Sequence, residues 1–212
     1  MSNKLLVTGD HRSITIWKSN NLNDKRIIYE DFHEIIINRD TCQLLEVNSS
    51  IFVATQYSGG YFQVYKNNGD SFPLIGELTK VGEHGCTCNC LSKINDKIVC
   101  YATNKIIIII SLEPIQIIQK IKVNWEDLNM AINYIYITKN NYLYFKGDFA
   151  NIIQCKIIND ENDNNFVELI EIGKYNINYK EYSYEKAIIP FDDGRIFFMD
   201  ERKGQKRYKL IA

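Results

Sequence analysis

Five potential soft-metal ligands lie close together in the middle of the chain. Cys86, Cys88 and Cys90 alternate along the sequence, His84 precedes them, and Cys100 follows on the next apolar segment. Alternation places three thiols on one face of a β-strand, and zinc takes four such ligands. Structural zinc sites, however, usually space their cysteines by two or more residues at a turn. We therefore favour cysteines that act as small buried hydrophobes and predict no metal site, with metal binding as the alternative.

Catalytic motifs are not evident in the chain. The three histidines, His11, His33 and His84, and the scattered serines form no recognisable nucleophile motif. Ser58-Gly59-Gly60 has the chemistry of a hairpin turn rather than of a phosphate-binding loop. We predict a protein that is not an enzyme and has no cofactor. Carboxylates do gather in four places: Glu30-Asp31, Glu126-Asp127, Asp160 to Asp163 and Asp192-Asp193.

The one concentration of basic residues lies near the end of the sequence. Its cations alternate with Tyr208 and Leu210, which is typical of a charged outer strand that discourages pairing with other sheets. We favour that interpretation over RNA binding, which stays an alternative. The cluster consists of Arg202, Lys203, Lys206, Arg207 and Lys209.

Composition and charge restrict the class of protein. The 212 residues carry 25 Lys and Arg against 26 Asp and Glu, a net charge of −1, so nucleic acid is not an expected partner. The longest apolar run, Ile106 to Leu112, is shorter than the roughly 20 residues of a membrane-spanning helix. Asp10-His11-Arg12 stands where a signal peptide needs its apolar stretch. We predict no membrane association and an intracellular location, in the cytoplasm or alternatively the nucleus.

Five similar apolar segments recur at nearly constant spacing. Their first residues are 46, 47, 45 and 45 positions apart, and each is followed by a short polar turn and a second apolar strand. Glycine, asparagine and aspartate in these turns favour β-hairpins. The five segments begin at Leu5, Ile51, Ile98, Leu143 and Ile188.

Each repeat contains room for two further strands, one before the hairpin and one after it. Four short strands in about 45 residues are typical of a β-propeller blade. We predict an all-β fold, a single β-propeller domain over residues 1–212 with about five four-stranded blades, open or partial. The expected blades span residues 3–32, 41–79, 86–123, 130–173 and 178–212.

Two segments depart from the strand pattern. Trp125, Leu128, Ile132 and Ile135 have helical spacing, which predicts a short helix or 3₁₀ turn near residues 125–129 that leads into a strand. The polar stretch Asn159 to Asn165 is predicted to be a loop inserted between two strands.

The repeats resemble the WD-repeat family over essentially the whole chain. Val7 to Lys18 is similar to the family's second and third strands, with Trp17-Lys18 at the place of the family's Trp-Asp ending. Tyr65-Lys66 takes that place in the second repeat, and Gly82-Glu83-His84 is similar to the Gly-His element that opens a repeat. No repeat holds the family's full His, Ser/Thr, Asp and Trp set, and His11 stands where we would place the turn Asp. Other families of four-stranded propellers share the same period.

The resemblance implies that the protein is a scaffold for protein–protein interaction in a larger assembly. In WD-repeat proteins, the rim that carries the hairpin turns and the connections between blades commonly binds partners. Exposed tryptophan, tyrosine and arginine dominate binding hot spots, although Trp125 and Phe149 could instead fill gaps between blades. The predicted rim residues are His11, Arg12, Tyr57, His84, Trp125, Glu126, Phe149, Asp193 and Arg195.

A propeller also admits a different class of function. Propeller enzymes place acidic residues around the central channel, so the alternative is a hydrolase-like enzyme with an acidic or metal site there. Three or more carboxylates or histidines within about 5 Å of one point in the channel would favour it.

The length of the chain bears on how the ring closes. The repeats begin at the second strand of the first blade, so the innermost strand of that blade is missing. An unclosed propeller exposes sheet edges and apolar faces, which is costly. We therefore expect a protein partner, a second copy or further sequence to complete the ring.

Overall fold

The structure, a computed structural model, describes residues 5–19, 29–37, 41–56, 60–81, 91–103, 106–122, 132–147, 152–159, 167–175, 188–192, 195–202 and 205–211. These residues form β-strands joined by turns. The strands are β1 (Leu5–Gly9), β2 (Ser13–Ser19), β3 (Tyr29–Ile36), β4 (Thr41–Asn48), β5 (Ile51–Gln56), β6 (Tyr61–Lys66), β7 (Leu74–Leu78), β8 (Leu91–Lys93), β9 (Ile98–Thr103), β10 (Ile106–Leu112), β11 (Ile115–Lys122), β12 (Ile132–Ile137), β13 (Tyr142–Gly147), β14 (Ile152–Asn159), β15 (Val167–Tyr175), β16 (Ile188–Pro190), β17 (Ile196–Arg202) and β18 (Gln205–Ile211).

Strands that follow one another in the chain lie side by side in five antiparallel sheets. The second, third and fourth sheets have four described strands each, β4–β7, β8–β11 and β12–β15. The first sheet, β1–β3, and the fifth, β16–β18, have three each. Short turns suffice to join antiparallel neighbours, which is why the polar turns of the sequence separate nearly every pair of strands.

Strand β10 shows why the apolar runs of this sequence are continuous. Ile107 and Ile109 are buried in one cluster with Phe145 of the fourth sheet. Ile108 and Ile110 are buried in another cluster with Val64 of the second sheet. Because successive side chains of a strand point to opposite faces, a strand that is covered on both faces must be apolar at every position.

The same arrangement repeats from sheet to sheet. One apolar cluster joins the first sheet to the second, and others join the second to the third, the third to the fourth and the fourth to the fifth. The innermost strand β8 contacts both β4 and β12. Sheets stacked face to face around neighbouring inner strands are the blades of a β-propeller, so the predicted all-β propeller fold is confirmed.

Asparagine and aspartate side chains shape the turns as their positions predict. The Asn95 side-chain oxygen accepts hydrogen bonds from the backbone N–H groups of Lys97 and Ile98, both at 2.9 Å. The side-chain oxygen of Asn48 does the same for the N–H of Ser50 at 2.9 Å. Asn141 has a φ of 60°, the left-handed conformation that asparagine tolerates better than most residues. The hairpins are thus fixed by local hydrogen bonds.

The turns between second and third strands lie at the same rim as the connections between blades. The N–H of Ile37 donates to the Arg12 carbonyl at 2.8 Å, and the N–H of Val81 donates to the Gly60 carbonyl at 2.8 Å. We call this edge the connection rim. The turns between first and second strands lie at the other end of the strands, the opposite rim, where the Asn48 amide donates to the Asp96 carbonyl at 3.3 Å.

The position of the fifth sheet in its blade differs from the sequence prediction. That prediction assigned Ile188 to Asp192 as the second strand of the fifth blade. The N–H of Lys139 donates to an Asp192 carboxylate oxygen at 3.1 Å, and the Asn140 amide donates to the Asp192 carbonyl at 2.7 Å. These bonds place the β16–β17 turn beside the β12–β13 turn, at the opposite rim. Strand β16 is therefore the first strand of its blade and β18 the third. The spacing of the apolar segments predicted the wrong strand position for Ile188, because the fourth repeat is longer than the others.

Other predicted features differ or lie outside the described residues. The last strand of the first blade was predicted at Arg26 to Tyr29 and ends at Ile36, beyond the expected blade boundary at residue 32. The predicted helix at 125–129, the strand Tyr179 to Tyr184 and the body of the 159–165 insertion are outside the described residues.

A buried polar network lies on the face of the second sheet that meets the first. The Gln56 amide donates to the Gln63 side-chain oxygen at 2.7 Å, and the Tyr65 hydroxyl donates to the same oxygen at 2.9 Å. The Gln63 amide donates in turn to the Glu77 carboxylate at 2.7 Å. The ring of Tyr65 also stacks on Phe52, with centroids 5.0 Å apart. Each buried polar group thereby keeps a partner, which offsets the cost of removing it from water.

We expect Ile109→Ala to lower the free energy of unfolding by about 2–5 kcal/mol, because it leaves a cavity between two sheets. Ile158→Ala removes the same atoms from a side chain that is 38% exposed, and should cost clearly less. Urea unfolding followed by circular dichroism measures both variants. Equal losses would contradict the assignment of Ile109 to the core.

Alkaline unfolding should report on Tyr65. Burial, with a smaller contribution from Glu77, raises the pKa of Tyr65 to about 12, whereas the pKa of an unfolded tyrosine is near 10. Stability that is fully present below pH 10 should therefore fall as the pH rises toward 12. Burial also raises the pKa of Tyr134, which adds to the fall.

Tyr65→Phe should cost about 1 kcal/mol at neutral pH through the lost hydrogen bond to Gln63, and should lose less stability than the unchanged protein between pH 10 and 12. The measurement is urea unfolding at a series of pH values. An identical slope in the two proteins would show that Tyr65 does not ionise on unfolding in this range.

Candidate interaction site

Three of the nine predicted rim residues lie within the described part of the chain. His11 and Arg12 are exposed in the β1–β2 turn on the connection rim. Arg195 follows the β16–β17 turn and therefore lies at the opposite rim, which corrects its predicted placement beside His11 and Arg12. Outside the described residues are Tyr57, His84, Trp125, Glu126, Phe149 and Asp193.

Asp10 holds the turn that displays His11 and Arg12. One of its carboxylate oxygens accepts the backbone N–H groups of Arg12 and Ser13, both at 2.9 Å. The hydrogen bond from Arg12, followed by that from Ser13, lowers the pKa of Asp10 because both stabilise the charged form. Asp10, rather than His11, is thus the residue whose side chain holds this turn. The two exposed side chains project from a turn with a fixed backbone.

Trp17 makes one link of the network expected of a WD-like repeat. Its indole N–H donates to the Thr8 hydroxyl oxygen on the neighbouring strand at 2.8 Å. Trp17 and Thr8 lie on the face of the first sheet that points away from the second, since Val7 and Ile16 of the same strands pack against the second sheet. Leu6, on the same outward face as Thr8, is 43% exposed. One face of the first blade is therefore partly open to solvent.

The inner edge of β1 is the most distinctive feature of the first blade. Strand β1 pairs with β2 on one side, and no described strand pairs with it on the other. At the connection rim β1 lies against β4, where the N–H of Thr41 donates to the Asp10 carbonyl at 3.1 Å. A Cβ at Gly9 would come within 2.6 Å of the Thr41 side chain, so the two strands touch closely at this end.

Toward the opposite rim the first and second sheets leave a cavity of about 630 Å³ between them. Leucine, valine, isoleucine and aromatic side chains make most of its wall, with a carboxylate, a hydroxyl and two amide side chains among them. A concave, mainly apolar site with a few polar groups is typical of a binding site. The lining residues are Leu5, Leu6, Val7, Tyr29, Leu44, Leu45, Glu46, Asn48, Ser49, Ile51, Phe52, Asn67 and Phe72.

Between the later blades, hydrogen bonds join the inner strands to one another. The side chain of Gln43 donates to the Leu91 carbonyl at 3.1 Å and accepts the Leu91 N–H at 2.8 Å. The Ser92 hydroxyl oxygen accepts the N–H of Ile137 at 3.1 Å. The Lys93 ammonium group donates to the Val47 carbonyl. Inner strands of adjacent blades thus bind one another directly.

The inner strands hold few groups suited to catalysis. Glu46 is the single carboxylate in β4, β8, β12 and β16 as described. Across the described ranges, no group of three or more His, Cys, Asp or Glu side chains is placed to hold a metal ion. Cys86, Cys88 and Cys90 lie outside those ranges. The described part of the channel therefore offers no acid–base pair on which to build a hydrolase mechanism.

The two cysteines that the structure describes are packing residues. Cys100 and Cys155 are buried in the cluster between the third and fourth sheets. Burial, with a smaller contribution from Glu171, raises the pKa of the Cys155 thiol to about 12, which keeps it protonated at neutral pH. A protonated, buried thiol is a poor nucleophile and a poor metal ligand.

The basic segment near the end of the sequence forms the outer strand of the fifth sheet. Lys206 pairs in register with Glu201, and Arg207 pairs with Asp200. Strand β18 lies at the edge of that sheet as described.

No sequence signal marks the residues that line the cavity between the first and second sheets. Glu46, Leu44 and Tyr29 gave no signal, because their role depends on β4 and β3 meeting β1 across a gap. No sequence pattern marks such a meeting of distant segments.

The described residues contain no helix long and apolar enough to cross a membrane. No family model and no curated protein matches the chain. A solved structure of Hsv2 from Kluyveromyces lactis, a WD40 β-propeller protein, matches 100% of this chain and 71% of its own length, with a TM-score of 0.62 and 12% sequence identity. At that identity the likeness concerns the fold, and it agrees with the blades described above: the chain folds as a β-propeller.

Proposed function

We propose that the chain is a non-catalytic, WD-repeat-like β-propeller that binds other proteins and serves as a scaffold in a larger intracellular assembly. The observation that carries the proposal is the state of the first blade. The central sheets bury both faces between neighbours, whereas in the first sheet no strand among the described residues pairs with the inner edge of β1, and one face is partly exposed. An unpaired edge and an exposed apolar surface are costly unless a partner covers them.

The connection rim supplies a second contact surface. His11 and Arg12 project from the turn that Asp10 fixes, so little backbone entropy is lost when a partner binds them. Arginine is also among the residues that dominate protein interfaces. The rim and the open edge of β1 belong to the same blade, and one partner can contact both.

An enzymatic role and an RNA-binding role have less support. The described inner strands bring one carboxylate to the channel, and a hydrolase needs at least a pair. The full sequence has a net charge of −1, whereas RNA binding needs an unbalanced positive surface.

Arg12→Glu should lower the recovery of bound proteins several-fold when the tagged chain is purified from its native cells, because it reverses the charge of an exposed rim residue. Lys120→Glu makes the same change on the exposed outer strand β11 and should leave the recovery unchanged. Quantitative mass spectrometry of the co-purifying proteins, together with gel filtration of the complex, gives the readout.

Purification of the unchanged chain alone, as a monomer, would reject the scaffold function. Equal recovery with Arg12→Glu and with the unchanged chain would reject the rim at His11 and Arg12 as the contact surface while leaving the scaffold function standing.

A further inference from the structure

We propose that Asn68 is a site of spontaneous covalent modification, at which the side-chain amide is lost through a cyclic imide formed with Gly69, and that a hydrogen bond from Gly69 to Asn67 limits the rate. The inference does not depend on the proposed scaffold function. It rests on the turn between β6 and β7, which lies wholly within the described residues 60–81.

The sequence places the reacting groups next to each other. Asn68-Gly69 is the only place in the 212 residues where glycine follows asparagine. The side-chain carbonyl carbon of an asparagine and the backbone nitrogen of the next residue can close a five-membered ring. A side chain on the next residue hinders this closure, and glycine has none.

The structure leaves the surroundings of this pair open. Asn68 and Gly69 are both exposed, so water reaches them. A Cβ atom built on Gly69 would meet nothing within 4 Å. Gly69 has a φ of 92°, a backbone conformation that residues with a side chain rarely adopt. The turn therefore requires glycine at the position where glycine also makes ring closure easiest.

The reaction is a substitution at carbon followed by hydrolysis. The Gly69 nitrogen forms a bond to the Cγ atom of Asn68, and its proton passes through solvent to the side-chain amide, which leaves as ammonia. Water then opens the imide at either of its two carbonyl carbons. The product at position 68 is aspartate or isoaspartate. The overall change consumes water and releases ammonia, and nothing is oxidised or reduced.

One side-chain hydrogen bond opposes the first step. The Gly69 N–H donates to the side-chain oxygen of Asn67 at 2.9 Å, as in an Asx turn. The nitrogen must give up this proton and turn toward Asn68 before it attacks, so the bond has to break first. Asn67 is itself held in place, because its N–H donates to the Ser50 carbonyl at 2.8 Å and its amide donates to the Ser49 carbonyl at 3.2 Å. Asn67 therefore protects the pair that the sequence exposes.

Both products alter the opposite rim, where this turn lies beside the β4–β5 turn. Each adds a negative charge two residues before Asp70. In isoaspartate the backbone also runs through the former side chain and is longer by one carbon atom. This changes the spacing on which the 3.0 Å hydrogen bond from the Asn68 N–H to the Ser71 carbonyl depends. The modification thus changes the charge and the shape of one rim and leaves the connection rim as it is.

The test follows the folded, unchanged full chain during incubation at mildly alkaline pH. Trypsin releases the segment 67–80, and its mass and fragmentation show whether Asn68 has changed. Chromatography separates the aspartate form of this peptide from the isoaspartate form. We expect Asn68 to be converted several-fold faster than Asn48 and Asn141, which are internal controls because residues with side chains follow them.

Two variants test the role of Asn67. Asn67→Ala removes the acceptor and should raise the rate at Asn68 roughly fivefold, the factor that corresponds to a hydrogen bond of ordinary net strength. Asn67→Asp keeps an acceptor oxygen at the same position and should not raise the rate. Circular dichroism confirms that the variants are folded. The unchanged chain unfolded in urea gives the same comparison without a substitution, because unfolding also breaks the bond and should speed the reaction.

Conversion of Asn68 in the folded chain no faster than that of Asn48 and Asn141 overturns the modification site. An unchanged rate in a folded Asn67→Ala variant overturns the protective role of Asn67. If that variant does not fold, equal rates in the folded and the urea-unfolded chain overturn it instead. None of these outcomes alters the recovery of partners from cells, so the proposed function is tested separately.

Discussion

The fold depends on burying both faces of nearly every sheet. A strand such as β10 gives Ile107 and Ile109 to one neighbour and Ile108 and Ile110 to the other, so no blade is covered without the next. This coupling explains why the four apolar clusters form a continuous series along the chain. It also explains why the two ends of the series differ from its middle: the first and fifth sheets each have a neighbouring described sheet on one side only.

The ends of the series are where binding chemistry is concentrated. On the first blade, the outward face exposes Leu6 and offers the Thr8–Trp17 pair, and the inner edge of β1 faces the cavity. Central blades lack this freedom because Gln43, Ser92 and Lys93 tie their inner strands together. The proposed interaction surface therefore follows from incomplete burial rather than from a dedicated motif.

Much of this architecture was predictable from the sequence because its causes are local. Continuous apolar runs and asparagine turns depend on residues close to one another, as at Asn48 and Asn95. The placement of the fifth blade was not predictable, because a longer fourth repeat shifts the count and only the contact of Asp192 with Lys139 reveals the true position. The turn role of Asp10 and the cavity beside Glu46 depend on side-chain geometry and on distant strands. Of the predicted rim, His11 and Arg12 lie where expected and Arg195 does not.

Hydrogen exchange of the backbone amides tests most directly whether the inner edge of β1 is an open strand position in an otherwise stacked propeller. In the isolated chain, the amides of β9, β10 and β13 should exchange slowest and those of β1 much faster, because among the described strands β1 pairs with β2 alone. In the complex purified from cells, exchange in β1 should slow toward that of β5. Exchange of β1 in the isolated chain as slow as that of β10 would contradict the account, since the edge would then be covered already.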